Sequence, residues 1–344
     1  MTLPDRPPPA SAVPGAPTQD EGGGTGLALW STPQWREQAT AWADDVLSAL
    51  GIRRTGEAQQ PHLRAWSTVL RLPTSAGSVW LKAPGPGTVT EVALMPVLAR
   101  RGGDRVLAPY AVDLSRGWLL LPDGGAVLAT NTPASLEVWN EALRGYAALQ
   151  LALTPYVDEM LAAGAPDHRP GRLPALLDEV IAGARRHART AEERSTLAAA
   201  GKEQARVAEL ASLLAEGTPG PSVQHDDLHR DNVFLDRARV FDWGDAVVAH
   251  PFSSLLIALR DTAEPLGVGL DDPRVVAARD AYLEVWGGPT TENLAVLEAA
   301  RTVGVLSRAA SWLRVLDSLS DDEAGDVREA PIRWLAMLGA GERL

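Results

Sequence analysis

Apolar residues fall into two spacings along this chain, and the change from one to the other divides it. In "STPQWREQATAWADDVLSALGI", Trp35, Trp42, Val46 and Leu50 fall near one helical face. Thr32 is placed to cap that helix, Pro33 fits its first turn and Gly51 stops it. The period then shortens. "HLRAWSTVLRLPTSAGSVWLKA" reads as strand, turn and strand, with β-branched and aromatic residues on either side of "PTSAG". A helix is expected over Glu91–Arg101, with Pro96 interrupting its middle because proline has no N–H to close the turn. "RVLAPYAVDLSRGWLLLPDGG" adds two short strands that end at a Gly-Gly break.

Beyond Gly125 the helical period dominates. Leu136, Trp139, Leu143, Tyr146, Leu149 and Leu153 recur at three- and four-residue steps behind a Thr132 cap and Pro133. Further helices are expected near 174–189 and 191–215, and again from Pro251 to the end. No internal repeat is visible. The pattern predicts an α+β protein: a small β unit with one inserted helix over roughly 52–121, then a larger helical part. Residues 1–26, rich in Pro, Gly and Ala, hold too little apolar surface to offset chain entropy and are expected to be a disordered tail.

Composition narrows the classes. The chain has 344 residues and no cysteine, which excludes disulfides and Cys-ligated zinc. No apolar run nears the ~20 residues of a membrane span, and the N-terminus lacks a basic, then apolar, leader. A soluble cytoplasmic protein is expected, with no membrane contact and no obligate protein partner evident. A net charge of -12 argues against nucleic acid, whose binding depends on clustered Lys and Arg. Only two of the 32 basic residues are lysine. Lys202 lies in a polar helical stretch and reads as solvated. Lys82 closes an apolar, β-like run, where a compact ammonium is not interchangeable with guanidinium.

The span Val223–Ala246, "VQHDDLHRDNVFLDRARVFDWGDA", holds two histidines, six aspartates and an asparagine. Three readings are open: a metal knot, a set of turn residues, or a phosphate-transfer site. A hairpin with "VFL" and "RVF" as strands and "DRA" as turn would set Asn232 beside Asp242. All three phenylalanines, Phe234, Phe241 and Phe252, fall in or just after it, suggesting a buried base under a polar rim. An Asn–Asp oxygen pair suits Mg²⁺. Asp227 can accept a proton from an attacking hydroxyl, and Lys82, braced by Glu91, can meet phosphates. The metallohydrolase reading takes His225, Asp227 and His229 as ligands but leaves Asn232, Asp242 and Lys82 unexplained. Turn chemistry alone favours Asp and Asn but does not require this spacing together with Lys82 and Glu91.

"HDDLHRDN" followed by "FDWGDA" resembles the catalytic loop and metal-binding motif of the aminoglycoside phosphotransferase-like family, relatives of choline kinases and protein kinases. The resemblance implies a protein-kinase-like two-lobed fold, with a nucleotide-binding N-lobe over 27–121 and a catalytic, acceptor-binding C-lobe over 122–344. It implies ATP and Mg²⁺ as cofactors, Asp227 as the catalytic aspartate, and Asn232 and Asp242 on the metal. Lys82 would contact the α/β-phosphates with Glu91 bracing it, and His225 would tie the catalytic loop to the metal turn. "WLLLPDGG" is similar to the hinge that receives adenine, through backbone groups near Leu121 and Asp123. "RAWSTV" stands where phosphates are covered, through Ser67 or Thr68. Asp226 and Asp231 stand where the family often has glycine, a departure that would either repel ATP or grip a cation. Trp243 is placed to border the site; Asp245, Glu264, His229 and His250 read as solvated or loop residues. The acceptor is expected to be a small hydroxylated molecule bound by helices after Phe252 and by 133–215. The acidic balance favours a cationic aminoglycoside-like antibiotic; a primary-metabolism sugar or amino alcohol is the alternative. A pseudokinase that binds nucleotide without turnover is the remaining rival.

Overall fold

The computed structural model describes residues 26–128 and 133–339. The proposed tail (but for Gly26) and the Thr132 cap lie outside the described residues. A short helix α1 (Gly26–Trp30) precedes α2 (Pro33–Ala49), whose Thr32 hydroxyl accepts from the Trp35 N–H at 3.2 Å. The buried face of α2 is Trp35, Ala39, Ala43 and Leu47; of the residues that the spacing singled out, Trp35 alone lies on it. Leu50 is 48% exposed. Alanines let the helix lie close against the sheet, and Trp42 and Val46 pack at the margin of that contact.

The sheet is antiparallel, in the order β1–β2–β3–β5–β4. Its strands are β1 (Gln59–Arg64), β2 (Ser67–Thr74), β3 (Gly77–Pro84), β4 (Ala111–Asp113) and β5 (Trp118–Pro122). Three strands, not two, precede the first inserted helix. A two-residue connection, Ala65–Trp66, sets Arg64 opposite Ser67. Neither residue is of a turn-forming type, so the alternating run reads through it. Helix α3 (Thr90–Gly102) continues unbroken through Pro96. Val92, Leu94, Met95, Val97 and Leu98 anchor it, and all five belong to the core of the helical part rather than that of the sheet.

The helical part begins with α4 (Pro133–Leu153) and α5 (Val157–Ala162), followed by α6 (Leu173–His187). The expected single helix over 191–215 is two, α7 (Ala191–Ala200) and α8 (Gln204–Glu216), separated by a 3-10 turn at Gly201–Glu203. A small ribbon pairs β6 (Ser222–Gln224) with β7 (Val247–Ala249). Between them, the hairpin over 233–241 is reduced to one bridge, Val233 with Val240, around a turn in which Arg237 and Ala238 have positive φ. Then come α9 (Leu255–Ala263), α10 (Pro273–Leu283), α11 (Thr291–Leu316), α12 (Asp321–Ala324) and α13 (Ala330–Gly339). Among the described residues no helix is long and apolar enough to cross a membrane.

The two parts meet where the β3–α3 connection runs against α11. A Cβ added at Gly87 would stand 2.4 Å from the Arg314 carbonyl oxygen and 2.7 Å from the Val315 nitrogen. Because those atoms are backbone, Gly87→Ala is expected to lower the unfolding free energy by about 1–3 kcal/mol, the usual range for overpacking. Gly145→Ala, in open space on α4, should instead leave stability unchanged or raise it by up to about 1 kcal/mol. Paired urea melts of the two variants check both.

Candidate active site

Lys82 reaches off β3 into the gap between the two parts. Its ammonium lies 2.6 Å from Glu91 Oε2 and 2.5 Å from Asp242 Oδ1. Burial alone would push the lysine down, but Asp242 and Glu91 together outweigh it and hold the ammonium well above its ordinary range. Glu91 is buried, and its Oε1 accepts from the Trp243 N–H at 3.1 Å. Asp242 is 51% exposed at its side chain, so desolvation pushes its carboxyl up only in part, and the Lys82 ammonium overcomes this to hold it ionised. Asp242 adopts a left-handed backbone, φ 64° and ψ 64°, which turns its carboxylate toward Lys82.

His225 links the two acidic segments. Its Nε2 donates to the Phe241 carbonyl at 2.8 Å and its Nδ1 accepts from the Asp227 N–H at 3.3 Å. A carbonyl can only accept and an amide N–H can only donate, so the ring is the neutral Nε2–H tautomer; burial also lowers its pKa. With both nitrogens in use, His225 has no lone pair for zinc. Among the described residues no three His, Cys, Asp or Glu side chains converge as a metal cage. The His225, Asp227, His229 metal reading has no support in this arrangement.

Asn232 donates from Nδ2 to the Asp227 carbonyl at 3.1 Å, while the Phe241 N–H donates to the Asn232 carbonyl at 3.0 Å. His229 Nε2 stands 3.1 Å from Asn232 Nδ2 and 3.4 Å from Asp227 Oδ2, so His229 belongs to this group rather than to solvent. The loop is fastened from beneath by Arg230, buried, whose Nε donates to Asp261 Oδ2 on α9 at 2.8 Å and whose Nη2 donates to the Asp261 carbonyl.

Asp227, Asp242 and Lys82 open on one cavity of about 190 Å³, with His62, Trp66, Ser67 and Thr88 on one side and Asp245, Arg308 and Trp312 on the other. A larger, shallower depression of about 680 Å³ between α2 and the Arg54 segment holds none of this chemistry. Ser67 lines the cavity and bonds His62 Nε2 at 3.1 Å. The Thr68 hydroxyl is spent inside, donating to the His62 carbonyl and accepting from Gln60. Leu121 and Asp123 do not line this cavity. They lie where β5 runs past its pairing with β4, which stops at Leu120, and the Asp123 carboxylate accepts from the Gly125 N–H. Among the described residues, none from 133–215 lines it.

The structure revises several sequence expectations. Trp243 is buried beneath the site, stacked on Tyr146, and does not border it. Phe252 is buried among Tyr282 and Trp286, whereas Phe234 and Phe241 stack on each other, half-buried, at 4.1 Å. His250 is buried, and its ring accepts from the Phe252 N–H. Glu264 is exposed, as expected, and pairs with Arg260. Asp245 is not solvated: its Oδ2 bonds Arg308 at 3.1 Å. Asp226 neither faces a metal nor awaits a cation; it is 1% exposed and accepts from Ser311 Oγ at 2.7 Å and Gln224 Nε2 at 2.8 Å. Its φ of 64° explains why glycine suits this position. Asp231 is exposed.

Arg308 escaped the sequence reading altogether. From α11 it bonds Asp227 Oδ1 at 3.1 Å and lies 3.9 Å from Asp226. Burial would raise the Asp227 carboxyl, but Arg308 first, then His229, pull it down to about 2. The signal was available: Arg308, Ser311 and Val315 follow the helical period of the buried face, and polar groups there demand partners.

A strand lysine clamped by a helix glutamate, facing an aspartate loop across a small cleft between sheet and helices, defines the kinase-like class of phosphotransferases. Within that class the chain belongs to the phosphotransferase enzyme family, whose sequence pattern it matches over residues 52–297. Among solved structures it is similar to a macrolide 2'-phosphotransferase from Brachybacterium faecium, at 16% identity and TM-score 0.54, covering 90% of this chain and 100% of that one. It is also similar to a choline/ethanolamine kinase family protein from Mesorhizobium loti (18%, TM-score 0.53, 88% and 100%) and to an ethanolamine kinase from Plasmodium vivax (13%, TM-score 0.57, 83% and 80%). At these identities the likeness is one of fold. No curated protein matches by sequence.

Burial above all pushes the Asp226 carboxyl up, against Arg308 and Ser311, to about 7 from 3.8. A carboxyl protonated in the fold but ionised in the unfolded chain contributes stability fully below pH 3.8 and loses it as pH rises through 7. Asp226→Asn, uncharged throughout and tolerant of the left-handed backbone, should therefore gain on the wild type across that window, by at most about 4 kcal/mol, and hold a constant difference above it. Urea melts of both proteins from acid to mildly alkaline pH read this directly.

Proposed function

We propose that the protein transfers the γ-phosphate of ATP to a hydroxyl of a small molecule. The observation that carries this is the Lys82 ammonium held between Glu91 and Asp242 on the same cavity as Asp227. In this reading residues 27–121 form the nucleotide-binding lobe and 122–344 the catalytic lobe. Lys82 meets the α/β-phosphates and Glu91 fixes it. Backbone groups at Leu121 and Asp123 receive the adenine, and the Ser67–Thr68 backbone, with the Ser67 hydroxyl, covers the phosphates. The protein works in the cytoplasm, where ATP is held, with neither membrane nor nucleic acid involved.

Asn232 and Asp242 fit a Mg²⁺ ion. Asn232 commits its Nδ2 to the Asp227 carbonyl and Asp242 commits Oδ1 to Lys82, leaving Asn232 Oδ1 and Asp242 Oδ2 as hard oxygen donors. When bound there, the cation neutralises phosphate charge. Asp227 orients the acceptor hydroxyl and takes its proton as the oxygen bonds to the γ-phosphorus. The bond to the β–γ bridging oxygen breaks and ADP leaves with that electron pair. His225 keeps the Asp227 segment in register with the Asp242 turn.

Asp227→Asn is expected to lower kcat by at least about 10²-fold, the bottom of the range for a proton-accepting group, with Mg-ATP affinity nearly unchanged. Asp242→Asn should instead raise the KM for Mg-ATP. Steady-state ADP release and nucleotide titration separate the two effects, and unaltered turnover in both variants would refute the assignment.

A further inference from the structure

Both carboxylates on the acceptor side of the cavity are already answered by one arginine. Arg308 bonds Asp227 Oδ1 through Nη2 and Asp245 Oδ2 through Nη1, each at 3.1 Å. It is 5% exposed, sits on the 26-residue helix α11, and its guanidinium lies 5.9 Å from the Trp334 ring centre. It therefore cannot swing into solvent to release either acid. The rest of that wall is Trp66 and Trp312, edge to face at 6.1 Å, with Val315 beside them. The whole cavity, which the acceptor would share with the phosphates met by Lys82 and Ser67, measures about 190 Å³, roughly six waters, so the acceptor's share of it is small.

These features point away from a polyamine. A multiply charged amine needs carboxylates it can pair as it sheds water, and here it would have to displace a buried arginine. An uncharged polyol needs only an apolar surface for its ring face and a base for the reacting hydroxyl; two indoles supply the first and Asp227 the second.

Building on the phosphotransferase reading, we propose that Arg308 determines acceptor class: by occupying Asp245 and positioning Asp227, it fits the pocket to a small uncharged polyhydroxylated ring, of monosaccharide or cyclitol size, and excludes polycations. Arg308 is a positioning residue that acts through the two aspartates. Its loss should change which charges the pocket accepts, an effect that a merely structural side chain would not produce.

The test uses the full-length protein, its Arg308→Gln and Arg308→Lys variants, and two probe sets: hexoses, pentoses and cyclitols on one side, neomycin and spermine on the other. ADP release should appear with an uncharged ring and not with neomycin. In Arg308→Gln that turnover should fall at least about tenfold while spermine affinity, by calorimetry, rises at least about tenfold, a change of 1.4 kcal/mol. Arg308→Lys should restore the exclusion of spermine, because the charge remains, but not full turnover, because the two-pronged geometry is lost. Wild-type preference for neomycin, or spermine binding no tighter to Arg308→Gln than to wild type, overturns the proposal. If Arg308→Gln does not fold, the wild-type preference between the two probe sets decides alone. Failure of the phosphotransferase reading looks different: no Mg-ATP binding and no ADP release with any acceptor, while the spermine titrations still judge Arg308.

Discussion

The Lys82 ammonium is the charge on which both hydrophobic cores converge. Its strand belongs to the sheet core, while the glutamate that holds it rides on α3, whose five buried apolar side chains belong to the helical core. Asp242 closes the group from the loop between the two small strands. Desolvating an ammonium is expensive, and two carboxylates are what make it tolerable; without the lysine they would face each other across a gap with no counter-charge. The contact proposed to meet phosphate is thus also the polar fastening between sheet and helices.

A second constraint works from below. Helix α11 is buried along most of its length yet carries Arg308, Ser311 and Arg314 into the region under the His225–Asn232 loop. Arg230 fixes the same loop to α9 through Asp261. Between them, the backbone from His225 to Asn232 is held by arginines from outside and by its own histidines from inside. Catalysis that rests mainly on positioning needs that rigidity.

The sequence carried the chemistry more openly than the packing. Asp227, Asn232 and Asp242 stand at telling intervals, and Lys82 stood out because lysine is so scarce here. The strands around 67–84 were legible because their alternation is regular. The Ala65–Trp66 turn was not, since neither residue prefers turns, nor was most of the buried face of α2, where Ala39 and Ala43 meet the sheet beside Trp35 and Leu47 while Trp42 and Val46 only border it. Arg308 lies far along the chain from Asp227, and only the three-dimensional fold brings them together. Asp245 looked solvated for the same reason: its partner was out of sight.

The placement of α3 ties the glutamate to the larger core. Its five buried apolar side chains each contribute on the order of 1.5–3 kcal/mol to that packing, so the helix cannot carry Glu91 away from Lys82 without opening part of that core. The same burial that completes the helical part therefore also sets the spacing of an ion pair anchored on the sheet.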